Sequence, residues 1–134
     1  MSPSYRAAFS GDRRNVPLAR NAIATFARIC GFSVEEVSDI RLAAGEAISN
    51  AVEHGRAVRS SGFSVRCSFI EEELTIEIRD NGEGFSLEGK PDETPIEQRS
   101  RGFGIFLMRR LMDGVHFDKN GTCVRLIRRH VVSS

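Results

Sequence analysis

Apolar residues recur near helical spacing in the first part of this chain and predict a helix over residues 15–30. Asn15 can cap its first turn, and Pro17 is tolerated there because its missing amide would be unpaired anyway. Gly31 suits the left-handed backbone that commonly ends a helix. The apolar positions that give this spacing are Leu18, Ala22, Ile23, Phe26, Ala27 and Ile29.

A second helix has a clearer start signal. Ser33 and Glu36 form a capping box, in which each side chain accepts a hydrogen bond from the other residue's backbone amide. Phe32 and Val37 occupy the positions of a hydrophobic staple. The helix is predicted to continue to Gly55, and many of its apolar residues are alanines, which allow a neighbouring element or a ligand to approach closely.

Strict alternation of apolar and polar residues predicts strands at 63–69 and 74–79, each with one buried face. The acidic segment between them, residues 71–73, is short enough for an antiparallel hairpin. Residues 5–10 are a candidate edge strand.

Residues 86–100 contain glycine, proline and charges without periodicity, so they predict a long loop, which in a compact domain is usually functional or disordered. A third helix is predicted at 102–112. Residues 115–117 and 122–130 then predict a final hairpin around Asn120 and Gly121.

The predicted order is therefore β-α-α-β-β-loop-α-β-β. Tight connections between strands, with helices that can share one face, predict an α+β fold. We expect a two-layer α/β sandwich with the helices on one face of a mixed, mostly antiparallel sheet. At this length the chain is predicted to form one domain, residues 1–134.

Composition adds limits on partners and location. The net charge is +1, so no strong field favours nucleic acid or a membrane surface. There is no signal-like N-terminal segment or membrane-length apolar run, so we expect a cytoplasmic protein. Arginines crowd the last strand, where a solvated surface is the simplest interpretation. They are Arg125, Arg128 and Arg129.

Three widely spaced cysteines, Cys30, Cys67 and Cys123, form no metal-binding or redox motif. We therefore predict buried free thiols in a reducing compartment.

Candidate chemistry begins on the second helix, in the string EAISNAVEHG. Glu46, Asn50 and His54 are four residues apart and so share one face. A polar face made only for solubility is the alternative, but small apolar residues flank this stripe. The Asn50 amide oxygen suits Mg²⁺, and a carboxylate one turn earlier can orient or deprotonate a hydroxyl. His54 is more simply a packing or hydrogen-bonding residue than a metal ligand.

A second string, IRDNGEGF, follows a predicted strand. An ionised Asp80 only accepts hydrogen bonds and would favour an exocyclic amine such as that of adenine. Gly82 and Gly84 would let the backbone approach a flat base. Taken alone, Asp-x-Gly-x-Gly is a common turn.

The third string, RGFGIFL, opens a predicted helix at Gly102 and Gly104. A helix N-terminus offers free amides to phosphate oxygens, and Arg99 or Arg101 could clamp a terminal phosphate. The string is neither a Walker loop nor a Rossmann fingerprint.

In this order and on these elements, the three strings resemble the GHKL, or Bergerat-fold, ATPases. Within that superfamily the chain resembles the bacterial anti-sigma-factor serine kinases. The segments NVPLARNAIATF, AAGEAISNAVEHG and GFGIFLMRRLMDGV support this resemblance, which runs over nearly the whole length. Histidine kinases and DNA gyrase share the pocket but add other domains.

The resemblance implies a role for each matching residue. Glu46 would be the general base acting on a serine hydroxyl, and Asn50 would hold Mg²⁺. Asp80 would bind the adenine amine, with Gly82 and Gly84 beside the base.

The remaining implied nucleotide contacts come from the later segments. Phosphates would be bound by Gly102, Phe103, Gly104 and Ile105. His54, Arg101 and Thr122 complete the predicted ATP-binding set, with Thr122 closing the base pocket. Residues 86–100 would be the ATP lid, and Arg20 falls where such kinases contact a sigma factor or its antagonist.

The implied activity is ATP-dependent phosphorylation of a STAS-type anti-anti-sigma protein by a kinase that sequesters a sigma factor. The resemblance also implies a homodimer. An ATP-gated binding module that does not transfer phosphate is the alternative hypothesis.

Overall fold

Helices cover one face of an antiparallel sheet in the computed structural model. It describes residues 2–55, 62–80, 95–118 and 121–131, apart from the side chains of residues 54–55 and 95–102. The elements in chain order are β1 (Ser4–Ser10), α1 (Asn15–Ile29), α2 (Val34–Gly55), β2 (Gly62–Ile70), β3 (Glu73–Asp80), α3 (Pro95–Leu111), β4 (Gly114–Phe117) and β5 (Cys123–Arg129). Within those described ranges, no helix is both long and apolar enough to cross a membrane.

The sheet has the strand order β1-β2-β3-β5-β4. The predicted two-layer α+β architecture is confirmed, and β1 lies at an edge as expected. The expectation of a mixed sheet is wrong for the described strands, because all four of their pairings are antiparallel. The reason is that α3 leads to the edge strand β4, and the hairpin back into β5 places that strand antiparallel to β3.

The core lies between α2 and the middle of the sheet. Ala43 and Ala44 on α2 are fully buried, as are Ile76 on β3 and Leu126 on β5. Because the alanine side chains are short, the axis of α2 can approach the sheet closely. This places the polar residues of α2 directly above the ends of β3 and β5.

The predicted helix signals are mostly confirmed. Gly31 ends α1 with φ of +100°. The capping box is present, since the Ser33 amide donates to Glu36 Oε1 at 3.0 Å and the Glu36 amide donates to Ser33 Oγ at 3.1 Å. Asn15 is not the cap that the sequence predicts. It is already in the helix, and its side-chain amide donates to Ser10 O and Oγ instead, which ties α1 to β1.

The start of α3 differs from the prediction. The helix begins at Pro95 rather than at Gly102, so the last residues of the predicted loop 86–100 are helical. Proline is favourable in a first helical turn, and the residues that follow it are good helix formers. The two glycines, which resemble a start signal, therefore lie inside α3.

The β2–β3 hairpin turns through two residues that are both in the left-handed region. Glu71 has φ of 51° and Glu72 has φ of 62°, which is the backbone of a type I′ turn. Most L-residues are strained in this conformation, whereas asparagine tolerates it because its short polar side chain can hydrogen-bond to the nearby backbone. We expect Glu71→Asn to increase the free energy of unfolding by about 0.5 kcal/mol.

Urea denaturation of the two proteins measures this change. Glu35→Asn, on the exposed first turn of α2, is the control and is expected to give no gain. An equal or larger gain in that control would show that turn strain is not the cause.

The three cysteines are free thiols, as predicted. Cys67 and Cys123 are buried, whereas Cys30 is half-buried. Burial raises the pKa of the Cys67 thiol to about 12, so this residue remains protonated and unreactive at neutral pH.

Candidate functional site

A pocket lies between α2 and the ends of β3 and β5. It brings together three residues that the sequence predicts as nucleotide contacts: Asn50, Asp80 and Thr122. The other lining residues are Ala47, Ala51, Ile78, Phe117, Gly121 and Val124. The walls are thus mostly apolar with a few polar groups, the usual composition of a small-molecule site.

Asn50 has an unsatisfied polar group in this pocket. Its Nδ2 atom is buried and has no hydrogen-bond partner among the described residues. A buried amide without a partner costs free energy, so such a group is usually matched by a ligand, an ion or water. Exchanging the amide oxygen and nitrogen positions by rotation would present an oxygen acceptor to the same space.

Asp80 is a charged residue that is only 5% exposed. Its backbone amide donates to the Thr122 carbonyl oxygen at 2.8 Å, which joins the end of β3 to the start of β5. The sheet therefore fixes the backbone of Asp80 at the pocket wall. The sequence could place Asp80 after a strand, but it could not show that Thr122 lies beside it.

Asp118 belongs to the same end of the sheet and was missed by sequence reasoning. Its carboxylate accepts two hydrogen bonds from Thr122, one from the amide and one from the hydroxyl, both at 2.8 Å. Burial raises the pKa of Asp118, but the hydrogen bonds from Thr122 and the Cys123 backbone, with the charge of Arg79, outweigh it. The net effect is a pKa below the usual value. The sequence feature that could have identified Asp118 is an Asx-type turn, since Asp118 precedes Gly121 and Thr122 by three and four residues.

A lowered pKa in the folded state makes Asp118 a pH-dependent contributor to stability. The contribution is fully present above the usual carboxyl pKa of 3.8 and is lost as the pH falls through the folded-state value. We therefore expect Asp118→Asn to destabilise the protein at pH 6 and to differ less from wild type as the pH falls below 4. Urea midpoints measured across this range test the prediction, and a difference that stays constant with pH would contradict it.

Glu46 does not line this pocket but lies against α3. A Cβ atom added to Gly104 would be only 2.8 Å from Glu46 Oε2. No side chain larger than hydrogen fits at this position without moving the carboxylate. The predicted general base and one of the predicted phosphate-binding glycines are therefore in direct contact, although 58 positions separate them in the chain.

The other predicted phosphate contacts have mixed surroundings. Gly102, Phe103, Gly104 and Ile105 all lie within α3 rather than at its start. Phe103 is 61% exposed and stacks on Phe106 with ring centroids 6.4 Å apart. The side chain of Ile105 is buried in the core, so only its backbone could contact a ligand.

Arg20, the predicted partner contact, is half-buried. Its Cδ atom would be 3.0 Å from a Cβ added to Gly45, so the aliphatic part of the side chain packs on α2. Its Nε atom is buried and lacks a hydrogen-bond partner within the part of the chain that the structure describes. The absence of a side chain at Gly45 makes this packing possible.

Several predicted residues lie outside the described residues. They are Gly82, Gly84 and most of the predicted lid, together with the side chains of His54, Arg99 and Arg101. Their predicted roles stay predictions.

The donor set fits Mg-ATP better than a metal held by protein alone. Among the described residues, no three His, Cys, Asp or Glu side chains cluster to bind a metal ion. Mg²⁺ needs only one or two protein ligands because phosphates and water supply the rest. The unsatisfied Nδ2 donor of Asn50 cannot bind a cation, but with the amide rotated its oxygen would occupy that place and could be one such ligand. The buried Asp80 carboxylate offers an acceptor for a base amine.

Comparison with curated proteins finds two kinds of similar relative. The chain is 34% identical over 125 residues to the serine-protein kinase RsbW of Oceanobacillus iheyensis, covering 87% of this chain and 79% of that protein. It is 30% identical over 135 residues to the anti-sigma F factor of Clostridium botulinum, covering 94% of each chain. Both names agree with the resemblance seen in the sequence.

Comparison with solved structures supports the fold. The crystal structure of the RsbU and RsbW domains of Rv1364c from Mycobacterium tuberculosis matches with a TM-score of 0.69 at 17% identity, covering 96% of this chain and 32% of that one. The model of the histidine kinase-like ATPase domain matches residues 9–128. This chain therefore belongs to the histidine kinase-like ATPase domain family.

Proposed function

We propose that this protein is an ATP-dependent serine protein kinase that acts as an anti-sigma factor. It phosphorylates a STAS-type anti-anti-sigma protein and sequesters a sigma factor, and we expect it to do so as a homodimer. The names of its relatives, a serine-protein kinase and an anti-sigma F factor, support both parts of this proposal.

The observation that supports phosphotransfer most directly is the arrangement of polar groups on α2. Asn50 presents an unsatisfied amide to a pocket whose wall holds the buried Asp80 carboxylate. Glu46 lies one turn earlier on the same helix and contacts Gly104. A nucleotide between α2 and the sheet would therefore have its base near Asp80 and its phosphates toward Glu46.

Each residue has a separate task in this proposal. Asp80 accepts a hydrogen bond from the adenine amine, and Thr122 closes the base pocket. ATP is the phosphoryl donor, and ADP leaves as the bond from the γ-phosphorus to the serine oxygen forms. Asn50 would hold Mg²⁺, which would neutralise phosphate charge. Glu46 orients the serine hydroxyl and accepts its proton. Most of the rate acceleration in such a site comes from positioning and charge neutralisation.

Phosphate binding by the glycine segment carries a structural requirement. Amides inside an α-helix donate to carbonyl oxygens four residues earlier, so those of Gly102 and Gly104 are not free in the present form of α3. We propose that α3 begins near Gly102 when nucleotide is bound, which would expose these amides. Glycine is tolerated at an N-cap, so Gly102 could begin the shortened helix.

A direct test is incubation of the purified chain with Mg-ATP and a STAS-type protein from the same organism. Intact mass spectrometry should then show one added phosphate on the STAS protein, at a serine. A STAS variant in which that serine is alanine, and a reaction containing EDTA, are the controls. ATP binding without any transferred phosphate would instead indicate an ATP-gated binding module.

The anti-sigma role needs its own test. Size-exclusion chromatography with Mg-ATP should show co-elution with the sigma factor, and the unphosphorylated STAS protein should release it. The elution volume without partners reports whether the protein is a dimer. If no sigma factor of the organism co-elutes with the protein, this part of the proposal is contradicted.

Gly104→Ala tests the contact between α3 and Glu46. The added Cβ would displace Glu46 Oε2 from its position 2.8 Å away, but that atom is the end of a flexible side chain. We therefore expect no loss of stability, since alanine favours the helix by up to about 1 kcal/mol. Phosphotransfer should fall roughly 10-fold or more, because a general base is sensitive to displacements of about 1 Å.

Thermal denaturation and the phosphotransfer rate, measured on the same preparation, separate these two effects. Unchanged phosphotransfer by the folded variant would contradict the assignment of Glu46 as the base.

A further inference from the structure

The three arginines of β5, which the sequence predicts as a solvated surface, have different surroundings in the structure. Arg125 and Arg129 lie on the exposed face of the sheet and pair with Glu77 and Glu73, each at 3.5 Å. Arg128 is on the helix-covered face, and its side chain is only 20% exposed. The expected solvated surface is therefore confirmed for Arg125 and Arg129 but not for Arg128.

Arg128 contacts the ends of two helices with one guanidinium group. Its Nη1 atom donates a hydrogen bond to the carbonyl oxygen of Leu111, the last residue of α3. The same nitrogen is 3.7 Å from Asp39 Oδ2, and Nη2 is 4.0 Å from Glu36 Oε2. Both carboxylates are in the first two turns of α2.

The chemistry of this contact suits a cation. The carbonyl groups at a helix C-terminus carry partial negative charge, and the two acidic residues add full charges. A planar guanidinium can reach all three oxygens at once because its donors form a rigid fork. The compact ammonium group of lysine cannot bridge the same three positions.

The neighbouring backbone also attaches the end of α3 to β5. The Asp113 amide donates to the Ile127 carbonyl oxygen at 2.8 Å, and the Arg129 amide donates to Asp113 Oδ2 at 2.7 Å. Arg128 lies between these two contacts. It extends an attachment between α3 and the sheet into one that includes α2.

This attachment is at the C-terminal end of α3, whereas the contact with Glu46 is near the middle of the helix. Gly104 precedes Leu111 by seven residues, which is about 10 Å along a helix axis. Since α2 and α3 are antiparallel here, a shift of α3 at Leu111 moves Gly104 relative to Glu46.

We propose that Arg128 is a positioning residue for phosphotransfer: it fixes the C-terminal end of α3 against the start of α2, and so holds Gly104 against Glu46. This inference relies on the proposed kinase activity for its kinetic consequence. Its structural consequence, the fixed position of α3 on α2, does not depend on that activity. ATP affinity should change much less than kcat, because the proposed base contacts, Asp80 and Thr122, belong to the sheet and not to α3.

The test compares Arg128→Lys with Arg125→Lys, the same change on the same strand but on the exposed face. In Arg128→Lys we expect kcat for phosphotransfer to fall about 10-fold while the Kd for ATP stays within about twofold. Amide hydrogen exchange should be faster in residues 103–111 and unchanged in β2 and β3. Arg125→Lys should match wild type in all three measurements.

A second variant tests the same contact in case Arg128→Lys folds poorly. Asp39→Asn removes one partner of Arg128 from the side of α2 and leaves the β5 strand intact. It should reproduce a smaller part of the kcat and exchange effects, and it should add little to Arg128→Lys in the double variant because both remove the same contact.

The exchange measurement separates this inference from the kinase proposal. Faster exchange confined to α3, in a chain without kinase activity, would support Arg128 as the residue that fixes α3 on α2 and would contradict the kinase proposal. Unchanged exchange, a kcat that falls only in proportion to ATP affinity, or an equal loss in Arg125→Lys would overturn the inference.

Discussion

Glu46→Gln is expected to lower the rate of phosphotransfer by roughly 10²–10⁴-fold while ATP binding stays within about twofold of wild type. Glutamine keeps the size of the side chain and its contact with Gly104, but it cannot accept a proton. A general base contributes only when the serine hydroxyl is deprotonated, so the loss should appear in kcat.

Single-turnover phosphorylation and calorimetric titration with Mg-ATP measure the two quantities. Glu53→Gln is the matched control, since it makes the same change on the same helix at an exposed position. A Glu46→Gln protein that still transfers phosphate at the wild-type rate would show that another group is the base. A wild-type protein that binds ATP but transfers no phosphate would instead support the alternative hypothesis of an ATP-gated binding module.

Asp80→Asn has the second large expected effect, on nucleotide affinity. We expect the Kd for both ATP and ADP to increase about 100-fold, because a charge-assisted hydrogen bond to the adenine amine is lost. Asparagine also adds donor hydrogens to a site that is only 5% exposed, and these need an acceptor of their own.

Calorimetry with ATP, ADP and GTP measures this effect, and thermal denaturation without nucleotide shows whether the fold is intact. Glu77→Gln, on the exposed face of the same strand, is the control and should bind ATP normally. If Asp80→Asn remained folded and kept its ATP affinity within about threefold, the adenine ring would have to bind elsewhere.

The two substitutions together separate the halves of the site. Glu46→Gln should remove phosphotransfer and keep ATP binding, whereas Asp80→Asn should weaken the binding of any adenine nucleotide. This division matches the structure, in which Asp80 belongs to the sheet and Glu46 lies between the two helices α2 and α3.

Much of this protein was decided locally and could be predicted from its sequence. The alternation in β2 and β3, the Ser33–Glu36 capping box and the stop at Gly31 each depend on a few neighbouring residues, and each is confirmed. The family also follows from short strings, because the chemistry of the pocket requires particular residue types at fixed positions.

The start of α3 depended on more than its local sequence. The glycines at 102 and 104 resemble a beginning, yet the helix starts at Pro95 and passes through them. A helix continues through a glycine when its later turns are held by packing, as Ile105 and Met108 are in the core. The predicted boundary was wrong because that packing is invisible in local spacing.

The tertiary structure alone decided which distant residues meet. Sequence spacing could place Glu46 on a helix, but only the packing of α3 on α2 places Gly104 against its carboxylate. Arg128 is the same residue type as Arg125 and Arg129 on β5. Only its place on the helix-covered face of the strand directs it toward Leu111 and the acidic start of α2. Local sequence sets residue types and periodicity, whereas long-range packing sets distances between side chains, and both catalysis and its positioning depend on those distances.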